Sequence, residues 1–265
     1  MHKPQPALTH SLTLAYRLSL GPAVLMAAAS LAGLLFPQIL YPTEQIRRSF
    51  ISNDVVNLFI GLPILLGSLW LARRGSLIGL LLWPGALFFA TYNYLAYAIA
   101  LPLTIQFLVY IALVALSAYA IFRLLSSLDL GAVRQRLTGV VHERTAGGVL
   151  AIFGALFFLR GVAQLAQGSV SGPELAVTLA DLLITPFWVA GGVALWRRRA
   201  LGYACGLGLL FQGSMLFVGL LAFFILQPIL SAVPFPLEDF IVIAGMGLVF
   251  FVPFGLFLRG VVLRN

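Results

Sequence analysis

The sequence predicts an all-α, polytopic transmembrane helical bundle of eight spans, and three observations carry that prediction. Charged residues make up 9% of the 265-residue chain and apolar residues 61%, where an ordinary soluble domain carries about 25% charge. The apolar residues gather into runs near the ~20 residues needed to cross hydrocarbon. The basic residues stand at the ends of those runs and form no continuous face. A soluble fold needs polar surface to cover its core, and 16 Lys and Arg with 8 Asp and Glu cannot supply it over this length. The net charge of +8 is therefore read as a sign of membrane orientation, with no nucleic-acid partner expected. A single cysteine, Cys205, excludes a disulfide framework, a Cys-x-x-Cys redox pair and a thiolate metal cluster.

The first run, at about 14–35, continues past Ala27-Ala28-Ala29 without a polar break. A signal peptide would have an apolar region of only about 7 to 15 residues, so this run is expected to be a span. A polar loop holding Glu44, Arg47 and Arg48 leads to span two, about 50–71, which contains Pro63. Span three, about 76–100, contains Trp83-Pro84, and the break at Leu101-Pro102 turns the chain into span four, about 103–125. Prolines inside spans predict kinks, because neighbouring helices can satisfy the freed carbonyls. Spans five to eight follow at about 147–166, 175–196, 200–226 and 240–263, with residues 228–236 open to a loop or a re-entrant turn. Between the fourth and fifth spans, Leu130, Val133, Leu137 and Val141 recur at helical spacing. That segment is either a short helix on the membrane surface or a plain linker.

Alternating spans place thirteen basic residues on one side and only Arg47, Arg48 and Arg160 on the other. Because Lys and Arg are retained on the cytoplasmic face, both termini are expected there, in a cytoplasmic (inner) membrane. Six of the eight acidic residues fall on the opposite side. An offset of 127 positions places Arg17 on Arg144, Asp54 on Asp181, Gly75 on Gly202 and Gly79 on Gly206. This suggests a tandem 4+4 parallel repeat, with units at 1–129 and 145–265 joined by a cytoplasmic linker at 130–144, related by an axis along the membrane normal.

Polar residues inside spans mark the candidate site, since lipid cannot satisfy them. Asp54 and Asn57 share a face of span two, and Asn93 and Tyr94 in span three and Tyr110 in span four reach the same depth. With Asp181 from the other half, they are expected to line an outward-facing pocket for a small lipophilic or amphiphilic ligand, which the protein binds or transports. The competing assignment for Tyr97, and in part Tyr94, is an interfacial aromatic belt. Arg160 is the expected ion-pair partner of Asp181.

Two further functions stay open at this point. One is an accessory or scaffold subunit of a membrane complex or homo-oligomer. The other is a lipid- or quinone-processing enzyme with Asp and Tyr as acid and base. No catalytic residue, metal ligand or cofactor is assigned. His2, His10 and His142 lie outside the spans, and the chain has no His-Glu-x-x-His, Gly-x-Ser-x-Gly or phosphate-loop sequence.

Overall fold

The computed structural model describes residues 12–230 and 234–264. Among them every regular element is helical, and eight helices are long and apolar enough to cross a membrane. The elements are α1 (Thr13–Leu35), α2 (Pro37–Leu40), α3 (Glu44–Val56), a π-helical turn (Asn57–Gly61), α4 (Leu62–Arg73), α5 (Leu77–Ala100), α6 (Ile105–Ser126), α7 (Leu130–Leu137), α8 (Glu143–Gln167), α9 (Gly172–Trp196), α10 (Ala200–Leu230) and α11 (Leu237–Val262).

The second span begins earlier than composition suggests. Thr43 caps α3, its hydroxyl accepting from the Ile46 N–H at 3.3 Å, so Glu44, Arg47 and Arg48 lie in the first turns of a helix instead of a loop. Glu44 and Arg48 pair one turn apart on that exposed surface. Beyond Val56 the helix widens by one residue per turn, and the Leu62 N–H reaches back to the Asn57 carbonyl. Pro63 explains the location: its ring crowds the preceding turn and it brings no N–H of its own. α3, the π turn and α4 form one interrupted span of 30 residues.

Helices α5 and α10 form the centre. In α5, 83% of the most apolar window is buried, against 17% in α8, so α5 is packed by protein on all sides while α8 faces lipid. The two central helices cross at Gly85 and Gly208, where a Cβ built on Gly208 would lie 3.0 Å from the Gly85 Cα. Only glycine admits that backbone approach.

The arginine-rich ends of the spans lie together. Leu77, Val133, Leu137, Leu195, Tyr203 and Val261 share one buried cluster, which brings the starts of α5 and α10 beside the ends of α9 and α11. α7 closes this end. Asp129 caps it by accepting from the Ala132 N–H at 3.0 Å, and Val133 and Leu137 are buried against the helix ends. The apolar stripe of α7 is therefore docked on protein, because the converging helix ends leave an apolar pit that the stripe fills. Glu143, at the start of α8, is buried as well and accepts from the Tyr203 hydroxyl at 2.7 Å.

Helix α10 continues unbroken through Pro228 to Leu230. Residues 231–233, within the segment left open between a loop and a re-entrant turn, lie outside the described residues, as do Lys3, His2 and His10.

Two inter-helix turns have matching geometry at an offset of 123. Ser76 N–H bonds the Leu71 carbonyl and Arg199 N–H bonds the Ala194 carbonyl, each closing the same C-terminal motif. The left-handed position is Gly75 (φ 77°) in one and Arg198 (φ 55°) in the other. At this offset Gly79 corresponds to Gly202, Gly85 to Gly208 and Pro63 to Pro186. The offset of 127 that pairs Gly75 with Gly202 is thus one helical turn away from the register of these turns.

Candidate functional site

Asp54 lies ten residues into α3, roughly 15 Å along the axis at the usual helical rise, and its side chain is fully buried. Two phenols serve it: Tyr41 donates to Oδ2 at 2.5 Å and Tyr97 to Oδ1 at 2.9 Å. The Tyr97 hydroxyl also lies 3.1 Å from the Phe50 carbonyl. Tyr41 arrives from the turn between α2 and α3, and a Cβ on Gly33 of α1 would collide with both the Tyr41 hydroxyl and the Asp54 carboxylate. Glycine is required there because backbone and carboxylate touch. Burial, followed by the adjacent Asp54 carboxylate, pushes the Tyr41 phenol well above the ordinary tyrosine range, so it remains a donor.

Around this pair the rings of Tyr94, Tyr97 and Tyr110 pack with centroids 5.2 to 5.8 Å apart, and Phe50 meets Tyr97 edge-on at 4.2 Å. The Tyr94 hydroxyl lies 3.0 Å from Ser30 Oγ and 3.2 Å from the Met26 carbonyl. Asn57, the first residue of the π turn, is fully buried beside Tyr94, yet neither polar atom of its amide makes an ordinary hydrogen bond. The Tyr94 hydroxyl is within weak hydrogen-bonding range of that amide; a buried amide so poorly satisfied is costly, and a π turn beside it is a common mark of a functional position.

The structure thus brings Asp54, Asn57, Tyr94 and Tyr110 into one cluster. It does not bring Asn93 or Asp181 into it. Asn93 donates to the Phe89 carbonyl of its own helix at 3.0 Å. Asp181 forms a second centre, accepting from the Tyr92 hydroxyl at 3.0 Å and so linking α9 to α5. Arg160 is exposed and within electrostatic range of Asp181, but no ion pair between them closes to 4.0 Å among the described residues.

The belt assignment for Tyr97 and Tyr94 is corrected here. Both are buried to 1% or less and face the bundle interior, because α5 is the enclosed central helix. Tyr41, Ser30 and Gly33 were not singled out by sequence reasoning. Ser30 and Gly33 stand three apart on one face of α1, the one signal that points to them, whereas Tyr41 lies outside any span and gives none.

The residues of the cluster are buried. Two clefts that indent the described surface lie elsewhere, one lined by Ala151, Val193, Trp196 and Arg197 and the other by Tyr16, Leu20, Leu66, Leu69, Trp70 and Arg73. No three His, Cys, Asp or Glu side chains converge among the described residues. Chemically, the site offers a carboxylate acceptor, a poorly satisfied amide and four tyrosine rings in an apolar surround. Comparison of the chain with family models, with characterised proteins and with solved structures finds no match to any of them.

Proposed function

We propose that this integral membrane protein binds, and in a more open state passes, a small amphiphilic molecule whose polar end donates hydrogen bonds to Asp54. The observation that carries this reading is the fully buried Asp54 carboxylate beside the poorly satisfied Asn57 amide, at membrane depth and ringed by tyrosine faces. An ammonium or hydroxyl head would replace the Tyr41 donor and donate to the Asn57 amide oxygen, and an ammonium would in addition gain cation-π contact with the rings. Tyr41, held on a short turn at the end of the bundle away from the arginine clusters, is the cover that must leave. The remaining frame is a tandem pair of four-span units, supported by the matching turns and prolines at the 123 offset, with the arginine-rich ends cytoplasmic by the retention rule.

The test is a panel of amphiphilic amines, alcohols and carboxylates against the purified protein in nanodiscs, read as ligand-induced thermal stabilisation. Amines and alcohols are expected to stabilise the protein at a tenth of the carboxylate concentration or less. Asp54→Asn is expected to remove the amine response while Tyr97→Phe only weakens it. An equal response to all three classes, or a full amine response in Asp54→Asn, would overturn the proposal. A second reading, an accessory subunit of a membrane complex, is favoured by the burial of the cluster. It predicts no ligand response and co-purification with a larger assembly.

A further inference from the structure

Two clefts sit at related places, each over the arginine-rich end of the second span of a four-span half. The first, of about 290 Å³, lies between α8 and α9. Its apolar lining is Ala151, Val193 and Trp196, and Arg197 closes it. The second, of about 140 Å³, lies between α1 and α4 and is lined by Leu20, Leu66, Leu69 and Trp70 with Tyr16 and Arg73. At the 123 offset of the turns, Trp70 corresponds to Val193 and Arg73 to Trp196, so the two clefts overlie the same helical turn.

Both have a half-exposed indole and one lining arginine, Arg197 in the first and Arg73 in the second, that closes no ion pair among the described residues. Trp70 is 52% and Trp196 50% exposed, whereas Trp83 and Trp188 are buried. Arg197, in the lining of the first cleft, is followed in sequence by Arg198 and Arg199; all three are exposed, Arg198 lies within electrostatic range of Glu143, and no carboxylate closes to 4.0 Å on any of them among the described residues. At the second cleft Arg74 lies 3.8 Å over the Trp70 ring and Arg73 5.0 Å over the Tyr16 ring. An apolar slot that ends in guanidinium groups matches an acyl chain that ends in a phosphate. Neither a detached anion nor a zwitterionic lipid makes as full a match, since the first leaves the slot empty and the second brings its own cation.

We infer that these clefts are paired binding sites for anionic phospholipids, with acyl chains against Trp196 and Trp70 and phosphates on Arg197–Arg199 and Arg73–Arg74. The inference is independent of Asp54 and of the ligand proposed above.

The two exposed tryptophans make it testable. The full chain is placed in phosphatidylcholine vesicles containing a minor fraction of lipid brominated in its acyl chains, either phosphatidylglycerol or phosphatidylcholine. Trp70→Phe reports on Trp196, and Trp196→Phe reports on Trp70. Buried Trp83 and Trp188 supply an unquenched baseline and a check on folding.

Brominated phosphatidylglycerol is expected to quench each reporter at several-fold lower mole fraction than brominated phosphatidylcholine. Removing a single arginine should weaken that preference by at most about five-fold. Replacing Arg197, Arg198 and Arg199 together by Gln should bring the two lipids to parity at Trp196 and leave the preference at Trp70 intact. High salt should shrink both preferences in the reporters that keep all their arginines, which covers the case where the triple variant does not fold. Equal quenching by the two lipids at both reporters would overturn the inference, as would a preference at Trp196 that neither the triple substitution nor salt reduces. Loss of the preference on replacing chloride by inorganic phosphate at constant ionic strength would overturn it in favour of a free anion.

Discussion

The first four spans and the last four bury different chemistry inside the same number of helices. In the first, α1 packs on α6 and closes a bundle around a carboxylate, served by two phenols and backed by three tyrosine rings. In the last, α8 and α9 form a tight hairpin, held where a Cβ on Gly192 would meet the Gly147 carbonyl at 2.7 Å. Its interior is Phe153, Phe157, Trp188, Phe217 and Phe250, with one hydrogen bond from Trp188 Nε1 to Gln212 Oε1 at 2.5 Å. The lesson is that equal hydropathy does not mean equal role. Close backbone approach joins helices in both halves, at Gly79 against Ala72 in the first and Gly192 against Gly147 in the last, and the first adds the hydrogen-bonded Asp54 centre.

The sharpest way to break this contrast is at Gly33. Gly33→Val must displace the Asp54 carboxylate or the Tyr41 hydroxyl, and overpacking of this kind costs about 3 kcal/mol. Gly255→Val, on a face of α11 with nothing within 4 Å, should be close to neutral. Unfolding of both variants in bicelles checks the difference, and comparable losses would mean that the Asp54 contact is not special. Next in size, Asp54→Leu strands the Tyr41 donor, while Tyr97 keeps the Phe50 carbonyl, and should cost about 1 to 2 kcal/mol. Gln212→Leu strands only the Trp188 indole and removes an amide Nε2 that has no partner, so about 1 kcal/mol or less is expected in the same assay.

Smaller still is the comparison between Tyr41→Phe and Tyr92→Phe. Hydrogen bonds between membrane helices average about 0.6 kcal/mol, with a maximum near 1.7. The enclosed Tyr41 bond should fall toward the upper value and the half-buried Tyr92 bond near the average. A double-mutant cycle of each with its aspartate measures it, and a larger coupling at Asp181 would reverse the ranking of the two centres. The smallest expected effect separates the two matching turns. Arg198 holds a left-handed conformation that costs an L-residue about 1 kcal/mol, so Arg198→Gly should stabilise by about 0.5 kcal/mol once the added unfolded-state freedom is subtracted. At the equivalent Gly75, substitution by Ala should destabilise by about 1 kcal/mol. Thermal unfolding of the pair of variants decides it.

Much of the frame was legible in the residues. The span bounds agree within a few positions except at α3, where the Thr43 cap starts the helix in polar sequence, at α8, which starts at Glu143 without a side-chain cap, and at the end of α10, which runs on to Leu230. Asp54, Asn57, Tyr94 and Tyr110 were readable as a group because each is polar at membrane depth and lipid leaves such groups no outlet. Asn93 satisfied the same criterion and yet turns to its own backbone, a choice that spacing cannot reveal. Tyr97 read as an interfacial residue, since depth along one helix says nothing about how many neighbours surround it. Tyr41 was invisible: it enters the cluster from a turn, and no periodicity marks a turn residue that folds inward.

The amino-acid sequence by itself determined the solvent, the number of spans and which of their ends carry arginine, because these follow from the free energy of moving each side chain between water and hydrocarbon, one run at a time. Only the tertiary structure decided which polar groups meet, that α5 and α10 cross at paired glycines, and that one half is built on a carboxylate and the other on rings. Those outcomes depend on distances between segments far apart in the chain, where packing geometry and hydrogen-bond satisfaction select among arrangements that hydropathy leaves equal.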